Sequence, residues 1–128
     1  MNIEHKNEIK AKLRKCEDVD NVDLHFDKLR KLGDSLLKNK EIENLIIFLN
    51  ALANKKRLMI MNVLKEKNRC VCELETVLDD SQPSISHHLK ILENIGLIRG
   101  WKKGKFTHYD IVKAQYERYL NMVKEELF

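Results

Sequence analysis

One proline and four glycines in 128 residues leave little room for turns and none for a Pro/Gly-rich linker. Nothing repeats and nothing is low-complexity, so a mostly helical chain is expected. Long apolar runs are missing too. The longest, Leu45-Ile46-Ile47-Phe48-Leu49, has five residues, against the roughly 18 that a membrane helix needs. It reads as a buried helix segment, and no membrane partner is expected. The opening residues Met1-Asn2-Ile3-Glu4-His5-Lys6 lack the apolar stretch of a secretion signal, which makes the cytoplasm the expected compartment. Cysteine is scarce and odd in number: Cys16, Cys70 and Cys72. A structural disulfide framework is thereby disfavoured in a reducing compartment, leaving metal binding, redox chemistry or plain burial. Catalytic patterns are absent as well. His87 and His88 are neighbouring acid/base candidates, but no nucleophile or phosphate-loop pattern accompanies them, so the chain is not expected to be an enzyme.

A large charge excess is also lacking, since the net charge is only +4. Its distribution carries the information. Between Ser81 and Lys113 there are six basic residues, Lys90, Arg99, Lys102, Lys103, Lys105 and Lys113, against Glu93 and Asp110. One basic face of this kind is the electrostatic footprint of phosphate contacts.

Hydrophobic spacing then supplies the architecture. Ile9, Leu13 and Cys16 recur at helical intervals, as do Leu29, Leu32 and Leu36, with a break at Asp18-Val19-Asp20-Asn21. Residues 1–38 are therefore expected to form an N-terminal helical extension of one or two helices, and residues 39–128 the main domain. Over residues 41–53, Ile42, Leu45, Ile46, Leu49 and Leu52 follow the helix period, with Ile47 and Phe48 apolar outside that stripe. A helix apolar on two sides implies a partner chain as well as its own core. Asn54 is placed to cap the next helix, whose inner face is Leu58, Met61 and Leu64.

A helix-turn-helix pattern follows. Leu74, Val77 and Leu78 mark a short helix, Asp79-Asp80 a turn, and Ser81 a cap, with Pro83 tolerated in the first turn of the second helix. On that helix Ile85, Leu89 and Leu92 face one way, while Ser86, His87, Lys90 and Asn94 face the other. Asn94-Ile95-Gly96 is a glycine stop. The period then changes from 3.6 to 2 through Leu97-Ile98-Arg99-Gly100-Trp101 and Phe106-Thr107-His108-Tyr109-Asp110-Ile111. These two strands are joined by Lys102-Lys103-Gly104-Lys105, a β-hairpin. A last helix carries Tyr116, Tyr119, Leu120, Val123 and Leu127 on one stripe. The predicted fold is mostly α: a winged helix-turn-helix with a two-stranded β-hairpin wing. In that plan the second helix lies in the major groove of duplex DNA and the wing reaches the neighbouring backbone or minor groove.

The stretch from Phe48 to Ile111 resembles the ArsR/SmtB family of metal-responsive repressors. The resemblance lies in Leu49-Asn50-Ala51-Leu52-Ala53 with Arg57-Leu58, in Cys70-Val71-Cys72-Glu73-Leu74, and in Gly96-Leu97-Ile98. Its most specific piece is Ser81-Gln82-Pro83-Ser84-Ile85-Ser86-His87-His88-Leu89-Lys90-Ile91-Leu92. The resemblance implies a homodimer built from the first core helix and the last helix. It also implies a double-stranded DNA operator bound without ligand and released when a toxic metal or metalloid binds. It assigns DNA reading to Gln82, Ser84, Ser86 and His87, and the wing to Lys102, Lys103 and Lys105. With Lys90 these are the candidate DNA-binding residues. His88, facing partly inward, reads as a core histidine. Two departures stand out. The turn carries Asp79 and Asp80 where the family has glycine and an apolar residue; Asp79 can adopt the left-handed conformation that glycine would supply, and Asp80, in place of a buried side chain, predicts a looser turn. The last helix holds no histidine, so the zinc-type site of the family is missing.

The thiols are weighed separately. Residues two apart on a helix point about 200° away from one another, whereas in an extended segment they share a side. Gripping one ion with both Cys70 and Cys72 is therefore expected to unwind the start of the helix they open. A helix N-terminus also favours thiolates, the metal-binding form. The cadmium/lead branch of the family draws further thiolates from an N-terminal extension, which here carries Cys16. A site of Cys16, Cys70 and Cys72 would suit As(III), Cd(II) or Pb(II) as inducer, with no cofactor required, since soft thiolates select soft ions. Against it, Cys16 continues the Ile9/Leu13 stripe as a small hydrophobe. The alternative functions are a winged-helix regulator without metal sensing, redox-responsive or constitutive, and a protein-interaction winged helix.

Overall fold

The computed structural model describes residues 1–16 and 20–128, in two compact units, Met1–Lys40 and Glu41–Phe128. The first unit is a pair of helices, α1 (Ile3–Leu13) and α2 (Val22–Leu37). Asn2 and Asn21 cap them, accepting from the amides of His5 and Leu24. Phe26 is the buried residue of α2, with the ammonium groups of Lys6 and Lys10 over its ring. The expected break at 18–21 lies partly outside the described residues. Cys16 is exposed beyond the end of α1, so it does not continue the apolar stripe inward.

The second unit comprises α3 (Lys40–Leu52, its first residue excepted), α4 (Lys55–Glu66), β1 (Arg69–Cys70), α5 (Val71–Leu78) and α6 (Gln82–Asn94). The hairpin β2 (Ile98–Lys103) and β3 (Phe106–Ile111) and the last helix α7 (Lys113–Leu127) complete it. Its core gathers one face from each helix: Leu45 and Phe48, Ile60 and Leu64, Leu74 and Leu78, Ile85, Leu89 and Leu92, closed by Leu97 and Ile98. No helix of the described residues is long and apolar enough to cross a membrane.

Several local signals act as read. Asn54 accepts from the Arg57 amide at 3.1 Å. Ser81 accepts from the Ser84 amide at 3.3 Å, with the proline in the first turn of α6. Asp79 ends α5 in the left-handed conformation and Gly96 follows α6 at φ 76°.

Four readings need correction. On α3 the buried face is Leu45, Phe48 and Ala51, whereas Ile46 and Leu49 are exposed. Phe48 belongs to the core because its ring stacks on Tyr119 of α7 at 4.7 Å, burying more surface than the smaller residues could. Leu58 is likewise exposed on α4, where Ile60 takes the inner position. The wing strand β2 continues through Lys103, since the two-residue turn Gly104-Lys105 closes the hairpin; Gly104 has φ 63°, the positive value a type II′ turn needs. The sheet also has a third strand, β1, paired antiparallel with β3 through Arg69–Tyr109 and Cys70–His108, in the order β1-β3-β2. Two residues are too few to show an alternating pattern.

Candidate functional site

Gln82, Ser86, His87 and Lys90 are all exposed on α6: Ser86, His87 and Lys90 lie away from the buried Ile85, Leu89 and Leu92, and Gln82 is the first residue of the helix. Lys102 and Lys103 end β2, Lys105 lies in the turn, and all three are exposed. The wing is stiffened from its base. Arg99 donates to Asp110 across the hairpin at 3.1 Å and stands over the Trp101 ring. Trp101 in turn stacks on His108 of β3, whose Nδ1 lies 3.1 Å from Oδ1 of Asn68.

Ser84 differs from its neighbours. It is half-buried, and its hydroxyl donates to Oδ2 of Asp80 at 2.6 Å. The same oxygen accepts from Lys56 Nζ at 2.6 Å, and Oδ1 accepts from the Ser81 amide at 2.8 Å. The Lys56 ammonium first, then Ser84 and Ser81, hold the Asp80 carboxyl down to about 2. Asp80 thus fastens the turn to α4 and to the start of α6. The turn is pinned rather than loose, because the carboxylate replaces an apolar anchor with an ionic one.

His88 is half-buried and faces α4, with Nδ1 3.1 Å from Nη1 of Arg57. Burial, then the Arg57 charge, lowers its pKa. The roles of Arg57 and Asp80 are missed in the sequence because their partners stand 31 and 24 residues away.

The thiol pair sits where β1 meets α5. Cys70 is the extended N-cap residue of α5, at φ −81° and ψ 164°, and Cys72 is in the first turn. An extended residue followed by a helical one swings the two side chains together, and the sulfurs lie 3.0 Å apart. The expected unwinding is therefore unnecessary, because the spacing rule for two helical residues does not apply when the first is the cap. Glu73 reaches back to accept from the Cys70 amide at 3.1 Å and pairs with Arg69 at 3.1 Å. These two partners, the amide first, hold the Glu73 carboxyl at about 2. Cys70 and Glu73 occupy capping-box positions, a spacing readable in the sequence with cysteine standing for the usual serine or threonine. The Cys70 thiol is pushed up, first by its hydrogen bond with Cys72 and then by burial, against the expected thiolate. Cys70 is buried and Cys72 exposed. Among the described residues no three histidine, cysteine or carboxylate side chains are gathered as a metal cage. Cys16 belongs to the other unit.

Comparison with known proteins bears on this arrangement. Residues 54–99 match the family described as "Bacterial regulatory protein, arsR family". A cadmium resistance transcriptional regulatory protein CadC homolog of Staphylococcus aureus is 32% identical over 89 residues, 69% of this chain and 73% of that protein. The arsenical resistance operon repressor of Escherichia coli is 49% identical over 59 residues, 45% of this chain and half of that protein. Among solved structures, reduced HlyU from Vibrio cholerae superposes with a TM-score of 0.57 at 26% identity, covering 68% of this chain and 93% of the other.

Proposed function

This chain belongs to the ArsR/SmtB family of winged helix-turn-helix DNA-binding transcriptional regulators, which are not enzymes, and on that premise we propose that it is a dimeric repressor released from its operator by a soft metal or metalloid ion held by cysteine thiolates. In this reading α6 enters the major groove and presents Gln82, Ser86, His87 and Lys90 to base edges and phosphates, while Lys102, Lys103 and Lys105 neutralise backbone charge beside it. Ser84 contributes by holding the turn through Asp80.

The observation that carries the inducer half is the 3.0 Å separation of the Cys70 and Cys72 sulfurs at the junction of β1, α5 and the wing. Cys70 pairs with His108 of β3 on one side and caps α5, which leads through the turn into α6, on the other. Any rearrangement of Cys70 therefore reaches both DNA-contacting elements. Cys70 and Cys72 would hold the ion. A soft ion there would require both thiols as thiolates, their protons passing to solvent. The chain's own response is the loss of the hydrogen bond between the thiols and a new demand on the Cys70 backbone, whose amide is fixed by Glu73. Ion and DNA then oppose one another, and the antagonism is reciprocal. The relatives named for cadmium and arsenical resistance support this inducer class.

Titrating the reduced protein with As(III), Cd(II) and Pb(II) separately, while following thiolate-to-metal absorption and DNA retention, tests it. Cys72→Ser is expected to abolish release by the ion and to keep ion-free DNA binding. Reduced wild type that binds none of these ions, or retains DNA when saturated, overturns the inducer reading. The same short distance favours a second reading, in which a peroxide oxidises the two thiols to one disulfide and is itself reduced to water. Release of DNA by peroxide, reversed by dithiothreitol, without any response to the three ions, would select it.

A further inference from the structure

Arg57 stands in the first turn of α4, and its guanidinium spans three elements. Nε donates to the Ala51 carbonyl at 2.6 Å and Nη2 to the Asn50 carbonyl at 3.4 Å, both in the last turn of α3. Carbonyls of a last turn have no acceptor role inside their own helix, so one side chain satisfies two of them. Nη1 lies 3.1 Å from Nδ1 of His88, in the middle of α6. A guanidinium offers only donors. Nδ1 must therefore be the acceptor, which puts the imidazole proton on Nε2 and requires His88 to be neutral.

The surroundings maintain that form. Arg57 and Lys56 face the ring from α4 and His87 from its own helix; all three repel a proton, as does burial. Asp80, from the turn, alone attracts one. Its carboxylate is already taken by Lys56, Ser84 and the Ser81 amide.

We propose that His88 is a positioning residue for DNA recognition: through Arg57 it ties α6 to the end of α3, and it does so only while Nδ1 carries no proton. The proposal rests on α6 being the DNA-reading helix. Protonation sets a donor against a donor and a cation against a cation across the 3.1 Å gap, and the tie opens. Because the folded-state pKa of His88 lies below the ordinary value, the tie is complete above that value and is lost as pH falls through the lowered one.

The test uses the full chain and a duplex selected from a random pool by the wild-type protein at about pH 7.5. Dissociation constants are measured from there down to about pH 5 for wild type and for His88→Asn. The asparagine amide oxygen replaces Nδ1 as acceptor and takes no proton, and the ratio of the two constants cancels every group that the two proteins share. The ratio is expected near unity at the upper end, with wild type weaker by about tenfold at the lower end, the size of a lost hydrogen bond to a charged group. A ratio that stays flat overturns the proposal. Independently of DNA, nitrogen-15 spectra of the free protein should show His88 as the Nε2–H tautomer, titrating below the ordinary histidine range. An Nδ1–H tautomer, or titration at or above that range, also overturns it. If no duplex is selected, the DNA reading of α6 fails on its own account, and these spectra still decide the Arg57–His88 tie.

Discussion

Asp80 carries the clearest lesson at the scale of single residues. In the sequence it departs from the apolar residue the family resemblance leads one to expect, and in the structure it accepts from Lys56, Ser84 and Ser81 at once. Its depressed pKa makes a directional prediction. A carboxylate held at about 2 contributes stability that is complete above its unfolded value and disappears as pH falls through about 2. Urea midpoints of wild type and Asp80→Asn should therefore differ most near neutral pH, and the gap should close between about pH 4 and about pH 2. A gap that is constant over that window would mean the carboxylate charge plays no part in holding the turn. The caps Asn54 and Ser81 and the left-handed Asp79 were legible, because capping and backbone handedness depend on neighbours within four residues. Asp80, Arg57 and the meeting of Cys70 with Cys72 were not. The first two depend on partners brought near only by the fold, and the third on one residue being the cap rather than the first residue of its helix.

At the scale of elements, the change of period from 3.6 to 2 after Gly96 was enough to mark helix, stop and hairpin, and with them the winged plan. Strand β1 was invisible because two residues carry no period, yet it is the element that connects the thiol pair to the wing. The exposed residues of α6 and the wing lysines belong to different elements and should contribute separably. Lys103→Ala or Lys105→Ala is expected to weaken all duplexes alike and to flatten the salt dependence of binding by about one unit of logarithmic slope per lost phosphate contact. Gln82→Ala or His87→Ala is expected to lower preference for the selected duplex by about 1–3 kcal/mol where a base contact is lost. Competition between selected and random duplexes at several salt concentrations separates the two effects. Wing variants that shift sequence preference, with α6 variants that leave it unchanged, would reverse the docking.

For the whole molecule the open physical problem is the outer face of α3. Ile46 and Ile47 are each about half exposed, at 50% and 49%, and Leu49 is 41% exposed. Phe48, which the sequence groups with Ile47 on a partner-facing surface, is instead 2% exposed and stacked on Tyr119. On α7, Tyr116, Tyr119, Met122 and Val123 pack against the unit's own core, leaving Leu120 and Leu127 outward. The proposed dimer surface is thus narrower than the apolar content of the two helices suggests, and its candidates are the exposed Ile46, Ile47 and Leu49 of α3 and Leu120 of α7. Adjacent residues on α3 then have separable duties, which gives a sharp prediction. Phe48→Ala removes a core ring and should cost about 3–5 kcal/mol of folding stability. Ile47→Glu should leave the melting curve of the monomer nearly unchanged, because it adds charge to a surface already in water. It should abolish the dimer, since an unpaired carboxylate would be buried in an apolar contact. Sedimentation equilibrium at micromolar concentration reads the second effect and urea unfolding the first. A wild-type protein that sediments as a monomer, or an Ile47→Glu variant that still dimerises, would remove α3 from the interface and leave its exposed isoleucines without that explanation.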